Sequence, residues 1–222
     1  MVEIKNIYKQ YGGKTILNDI NFTINSGEIA VIYGVNGAGK TTLIKCMIDL
    51  IKYDGVVKLI PNDKNQIGIY LGHEVLIEKL KVSEYLYLAG HLKNLSKEEI
   101  KNKINTLADK LNFIEHLNDL ISNVSFGTKT KVLLAASVIN SPKLLILDEP
   151  FTGLDLIIVD EVVALLKELK KDNCTIFISS HQVNILEDII DKIFILKNKE
   201  IIYNGSVNKN TDLTNFVLSY LK

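Results

Sequence analysis

Residues 34–41 read GVNGAGKT and residues 144–149 read LLILDE. In the first stretch Gly34, Gly37 and Gly39 let the backbone wrap closely around an anion, with N–H groups turned inward as a nest. Asn36 and Ala38 lie within that loop, and Lys40, Thr41 and Thr42 follow it. Lys40 can reach the β- and γ-phosphates of a nucleotide, and the Thr41 hydroxyl can ligate Mg²⁺. A helix starting here would aim its positive end at the same phosphates. In the second stretch four apolar residues run into two carboxylates where a strand leaves the core. Asp148 would hold the metal through water, and Glu149 would polarise an attacking water as general base. Two acids at a strand end are unremarkable alone. Behind a phosphate loop they read as the other half of a site that binds a nucleotide with Mg²⁺ and cleaves its terminal phosphate.

These residues need strands that end at one edge and a helix behind the loop. Glu28–Tyr33 is mostly apolar and feeds the glycine loop, and Thr41–Ile51 has helical spacing. Val2–Tyr8 and Thr15–Ile24 alternate as half-buried strands, with further strands at Val56–Leu59, Ile67–Leu71, Leu144–Leu147 and Thr175–Ser179. Val82–Leu120 turns helical, with a capping box at Ser96–Glu99. Helices are also expected over about Thr128–Ile139, Leu156–Lys171, Val183–Ile190 and Thr211–Leu221, with a hairpin between the last two. Strands alternating with helices, several of them continuously apolar, imply an α/β fold with a mainly parallel sheet covered on both faces.

The chain has 222 residues, room for one domain with a helical insert. Its 26 Lys and Arg balance 26 Asp and Glu, which argues against a nucleic-acid partner bound through a basic surface. Every strong base is lysine, so no arginine finger is available. Cys46 and Cys174 lack any CxxC or Cys/His grouping and read as buried, reduced thiols suited to the cytosol. No apolar run approaches the roughly 18 residues needed to span a bilayer.

The ordered set GVNGAGKTT (34–42), NVSFGTKTKV (123–132), LLILDEP (144–150), TGLD (152–155) and SSHQ (179–182) resembles the ATP-binding subunit of ABC (ATP-binding cassette) transporters over nearly the whole length. The resemblance implies a P-loop fold of ABC type, with an N-terminal antiparallel β region. The nucleotide-binding core would comprise 1–81 and 140–222, and a helical subdomain with the signature loop about 82–139. It further implies that Tyr11 stacks on adenine, that Asp155 communicates across a dimer, and that His181 contacts the γ-phosphate. Ser125 and Gly127 would meet the nucleotide of a second, head-to-tail cassette, identical or different. That pair would sit in the cytoplasm under an integral membrane permease, driving export, with the insert and the 72–74 loop forming the docking groove. Alternatives are a soluble ABC ATPase without a permease, or a nucleotide-sensing subunit in an asymmetric pair.

Two departures from the family pattern stand out. Phe126 occupies a place where the family has glycine, which would be strained if that position required positive φ. Gly72-His73-Glu74 stands where the family has a glutamine near the metal, so His73 or Glu74 could sense nucleotide in its stead.

Overall fold

The computed structural model describes residues 1–207 and 212–221. In chain order the elements are β1 (Val2–Tyr11), β2 (Lys14–Ile24), β3 (Ile29–Tyr33), α1 (Lys40–Met47), β4 (Asp54–Leu59), β5 (Ile67–Tyr70), α2 (Val82–Leu92), α3 (Lys97–Lys110), α4 (Phe126–Val138), β6 (Leu144–Asp148), α5 (Leu156–Lys171), β7 (Thr175–Ser180), β8 (Lys192–Lys197), β9 (Glu200–Ser206) and α6 (Leu213–Leu221). Thr211, the expected start of the last helix, lies outside the described residues.

Two sheets share the work. β2, β1 and β4 form an antiparallel three-stranded sheet, and the other strands form a six-stranded sheet in the order β5-β6-β7-β3-β8-β9. Within the larger sheet β5, β6, β7, β3 and β8 are parallel, and β9 returns antiparallel to β8. β3 is buried throughout, and its side chains alternate between two cores. Ala30 and Ile32 join α1 and the small sheet, whereas Ile29, Val31 and Tyr33 join the core shared with α2 to α5. Period-two alternation with no polar residue is what a strand covered on both faces requires. β3 stands centrally, so the loop leaving its carboxyl end opens beside the ends of β6 and β7.

Local signals set several boundaries. The capping box holds, with Glu99 N–H donating to Ser96 Oγ at 3.3 Å and Ser96 N–H donating to Glu99 Oε2 at 2.8 Å. α1 stops at Met47, short of Ile51, because Asp49 turns left-handed (φ 57) and Leu50 N–H reaches back to the Lys45 carbonyl. α4 starts two residues before the expected Thr128, since Ser125 caps it by accepting from Thr128 N–H at 3.1 Å. Val183–Ile190 is not a helix but a run of turns. Its helical spacing is real, for Val183, Leu186, Ile189 and Ile190 are all buried. However, Ser180 grips Gln182 at one end and Asp191 binds Ile29 N–H at the other. With both ends pinned, a run of turns brings the same four side chains inward without a continuous ladder of helical hydrogen bonds.

Both cysteines are free and buried, and burial raises the Cys46 thiol to about 11 and the Cys174 thiol to about 12. The native protein should therefore react negligibly with a disulfide reagent at pH 8, and both thiols should titrate in denaturant. A fast native reaction would mean that one of them is reached by solvent. No helix among the described residues is long and apolar enough to cross a membrane.

Candidate functional site

Gly34–Gly39 joins β3 to α1, and its shape follows from what crowds it. Gly39 caps α1 at φ 113, where a Cβ would lie 3.2 Å from the Ile16 carbonyl oxygen. Any larger residue would suffer both strain and contact there. Gly34 packs as tightly against the Leu196 carbonyl. A cleft of about 310 Å³ opens above α1, lined by Tyr11, Ile16, Asn36, Gly37, Gly39, Lys40, Thr41, Thr42 and Glu149. Gly34 and Ala38 do not line it, and Ala38 faces instead the Lys197–Lys199 turn. Tyr11, at the end of β1, is half-exposed, and the Lys9 ammonium lies 4.5 Å from its ring centroid. Ile16 was not foreseen. It reaches the cleft because the Gly12-Gly13 turn folds β2 back beside Tyr11.

Lys40 is only 6% exposed. Its ammonium donates to the Gly34 carbonyl at 2.7 Å and lies 3.0 Å from Glu149 Oε1, a charge contact without hydrogen-bond alignment. The other Glu149 oxygen takes His181 Nδ1 at 2.8 Å and the His181 backbone N–H at 3.3 Å. Lys40, Glu149 and His181 thus form one line of contacts across the ends of β3, β6 and β7. Glu149 itself stands at φ 50, a conformation a non-glycine residue adopts at a cost of about 1–3 kcal/mol. Ser179 holds it there: the Glu149 N–H donates to Ser179 Oγ at 3.0 Å. The Ser179 hydroxyl in turn donates to Asp148 Oδ1 at 2.5 Å. Ser179 belongs to the SSHQ stretch, but its hold on Glu149 shows only once the parallel register sets it opposite Asp148.

The arrangement fits a nucleotide and its metal. The buried cation and the inward-turned glycine loop make an anion cradle. Glu149 Oε1 is buried, with the Lys40 ammonium as a charge contact but no aligned hydrogen bond, so it has acceptor capacity left at the cleft wall. Among the described residues no group of three or more His, Cys, Asp or Glu side chains converges. Hydroxyl and carboxylate oxygens in small number suit Mg²⁺, which keeps water and shares phosphate oxygens.

Ser125, Gly127 and Asp155 stand apart from this cleft. Ser125 caps α4 and Asp155 caps α5, accepting from Ile158 N–H at 3.0 Å. The two glycine positions of the signature loop differ sharply. At Gly127 an added Cβ would lie 2.2 Å from Ile158 Cδ1, so a larger residue would need the half-buried Ile158 side chain to turn aside. Phe126 has helical backbone with no positive φ, and its ring is half-exposed, so the feared strain is absent.

Residues 17–152 match the family pattern described as ABC transporter. A putative ABC transporter ATP-binding protein of Mycoplasma pneumoniae is 37% identical, over 97% of this chain and 69% of that one. The lantibiotic transport ATP-binding protein of Streptococcus pyogenes is 33% identical over 98% of both chains, and proteins named for import are also similar. Among solved structures, the ATP-binding subunit of an ABC transporter superposes over the full length of both chains with a TM-score of 0.91 at 26% identity. The cleft, the paired strand-end acids and these likenesses agree: the chain belongs to the ABC transporter family, as an ATP-binding, ATP-hydrolysing subunit.

Proposed function

We propose that this subunit closes head to tail with a second cassette around Mg-ATP and powers a separate membrane permease, working in the export direction. The observation that carries the reading is the Lys40–Glu149–His181 line at the mouth of the glycine loop. Gly34, Asn36, Gly37, Ala38, Gly39 and Thr42 shape the loop, Lys40 binds phosphate, and Tyr11 offers its ring to adenine. Thr41 and, through water, Asp148 would hold Mg²⁺, which when bound would neutralise charge on the phosphate oxygens. Glu149 accepts a proton from water at its carboxylate, and His181 orients that carboxylate through Nδ1. Ser125 and Gly127 lie away from their own chain's cleft, as groups serving a partner's nucleotide should, and Asp155 lies at the start of α5 beside exposed Leu156 and Ile157.

The parts would divide into a core of 1–81 with 140–222 and a helical portion of about 82–139. Supporting this, α2, α3 and α4 follow one another without a strand, and Lys81 pairs with Leu120 at the neck. Export is the reading that leans on the likeness to the lantibiotic transport subunit, 33% identical over 98% of both chains. The site of action would be the cytoplasmic face of the membrane, through the permease, and balanced charge gives no reason to expect a nucleic-acid partner.

The test is the solution mass of the Glu149→Gln protein with and without Mg-ATP. A mass that doubles on ATP supports closure between two copies. A mass that stays single with ATP bound rejects unaided self-pairing: either the permease must bring the two halves together, or the Ser125 loop serves a site built with a different cassette.

A further inference from the structure

The Phe126 ring lies on the His73 ring, with centroids 4.1 Å apart and planes inclined by 21°. His73 Nε2 is 2.8 Å from Thr130 Oγ1, and the Thr130 hydroxyl donates to the Phe126 carbonyl at 3.2 Å. With its proton on that carbonyl, Thr130 must accept from His73, which calls for the Nε2–H tautomer. One imidazole therefore grips the first turn of α4 twice, by its face and by its edge. The same Phe126 ring covers Gly153, where a Cβ would come within 3.2 Å of Cε1. A single aromatic side chain joins three loops that are distant in sequence: 72–75 after β5, the start of α4, and 152–155 before α5.

The position of His73 gives the stack its reach. β5 runs parallel to β6 with Tyr70 opposite Leu147, one residue before Asp148. His73 follows three residues after that pairing. Burial and the nearby Lys129 charge both lower the His73 pKa, so the ring is neutral near pH 7 and stacks as an uncharged aromatic. Ser125 immediately precedes Phe126 and is held only from within the first turn of α4, its Oγ accepting from Thr128 N–H and its carbonyl from Lys129 N–H at 2.9 Å, among the described residues.

We propose that His73 and Phe126 are a pair of positioning residues that lock the Ser125 loop to the carboxyl end of the nucleotide-binding sheet, so that Phe126 is a working part of this subunit and not a damaged one. The inference rests on the reading of Ser125 as the group offered to a partner's nucleotide. The pair does by ring stacking what a backbone-compatible glycine and an amide side chain would do by closer approach and hydrogen bonding.

Two measurements test it on the purified chain. In the first, amide hydrogen exchange is followed without nucleotide, so no turnover is needed. His73→Ala and Phe126→Leu should speed exchange at Thr128 and Lys129 several-fold, up to about tenfold, the upper worth of one aromatic stack. His73→Phe, which keeps a ring, should speed it less than about threefold, and amides of β6 and β7 should stay unchanged as a check on the fold. In the second, steady-state ATPase is measured. Each single variant should lower kcat by about three- to tenfold with KM for ATP within about twofold, because the cleft is untouched. The double variant His73→Ala/Phe126→Leu should fall no further than either single one, as expected for groups acting as a unit.

Unchanged exchange in His73→Ala, or multiplicative losses in the double variant, would overturn the proposal. So would a rise in kcat for Phe126→Gly, which would make the ring an obstacle. Ser125→Ala separates the two levels. If it leaves kcat unchanged while the exchange effects persist, the role given to Ser125 has failed and the clamp has not.

Discussion

Glu149→Gln should lower ATP turnover by about 10²–10⁴-fold, the usual worth of a positioned general base, and should at the same time tighten ATP binding. The first effect follows from losing the only carboxylate among the described residues that lines the phosphate cleft. The second follows from the resting contact with Lys40, in which Glu149 Oε1 lies 3.0 Å from the ammonium. Phosphate must take the lysine away from that carboxylate. Removing the negative charge removes the competitor, so affinity should rise by about three- to tenfold, on the order of 1 kcal/mol for a partly screened pair. Gln has the same backbone demands as Glu at φ 50, so the fold should not be relieved or strained by the change. Single-turnover hydrolysis and calorimetric binding read the two effects separately. Turnover that survives within tenfold of wild type would move the base elsewhere.

The largest expected loss of stability comes from Lys131→Met. Lys131 in α4 pairs with Glu161 of α5 at 2.6 Å, and both side chains are nearly buried, at 8% and 13% exposure. Glu161 also accepts from Asn112 Nδ2 at 2.7 Å, just beyond α3, and Lys131 lies 3.4 Å from the Asn112 carbonyl. Three helices thus meet on one ion pair. Removing the lysine leaves a buried carboxylate with a single partner, at a cost of about 3–5 kcal/mol. For a chain of this size that corresponds to a melting temperature lower by roughly 6–20 °C. Lys131→Met with Glu161→Leu should recover at least half of the loss, because the uncompensated charge is gone. Urea unfolding of the three proteins would check this, and a single-variant loss below about 1 kcal/mol would show that water reaches the pair.

The phosphate loop and the acids at 148 and 149 were legible because their chemistry is contiguous. Each is a strand running into a turn, and the spacing within a few residues carries the function. The sheet class was legible for a related reason, as β3, β6 and β7 each carry a continuous apolar run that only a strand covered on both faces can bury, polar residues falling at the strand ends. What could not be read were contacts between segments far apart in sequence. Nothing near Phe126 announces His73, and nothing near Lys131 announces Glu161; only the packing of α4 supplies both. The sequence question about Phe126 was posed in terms of φ, and the answer lay in the helix beginning at that residue. The mistaken helix at 183–190 shows the converse error. Burial at helical spacing records which side chains face inward, and turns pinned at both ends satisfy it equally well.

The order of the six-stranded sheet also bears on how the chain is made. β3 carries the glycine loop, yet its neighbours β7 and β8 arrive late, and Ile29 finds its Asp191 partner 162 residues further on. At about 5–20 residues per second that is a delay on the order of 10–30 s. Throughout it, a strand with no polar position in its last five residues has both edges open on the ribosome. Such a segment is an aggregation hazard until the sheet closes. The strand that serves the nucleotide is the one that nascent-chain chaperones would have to shelter longest.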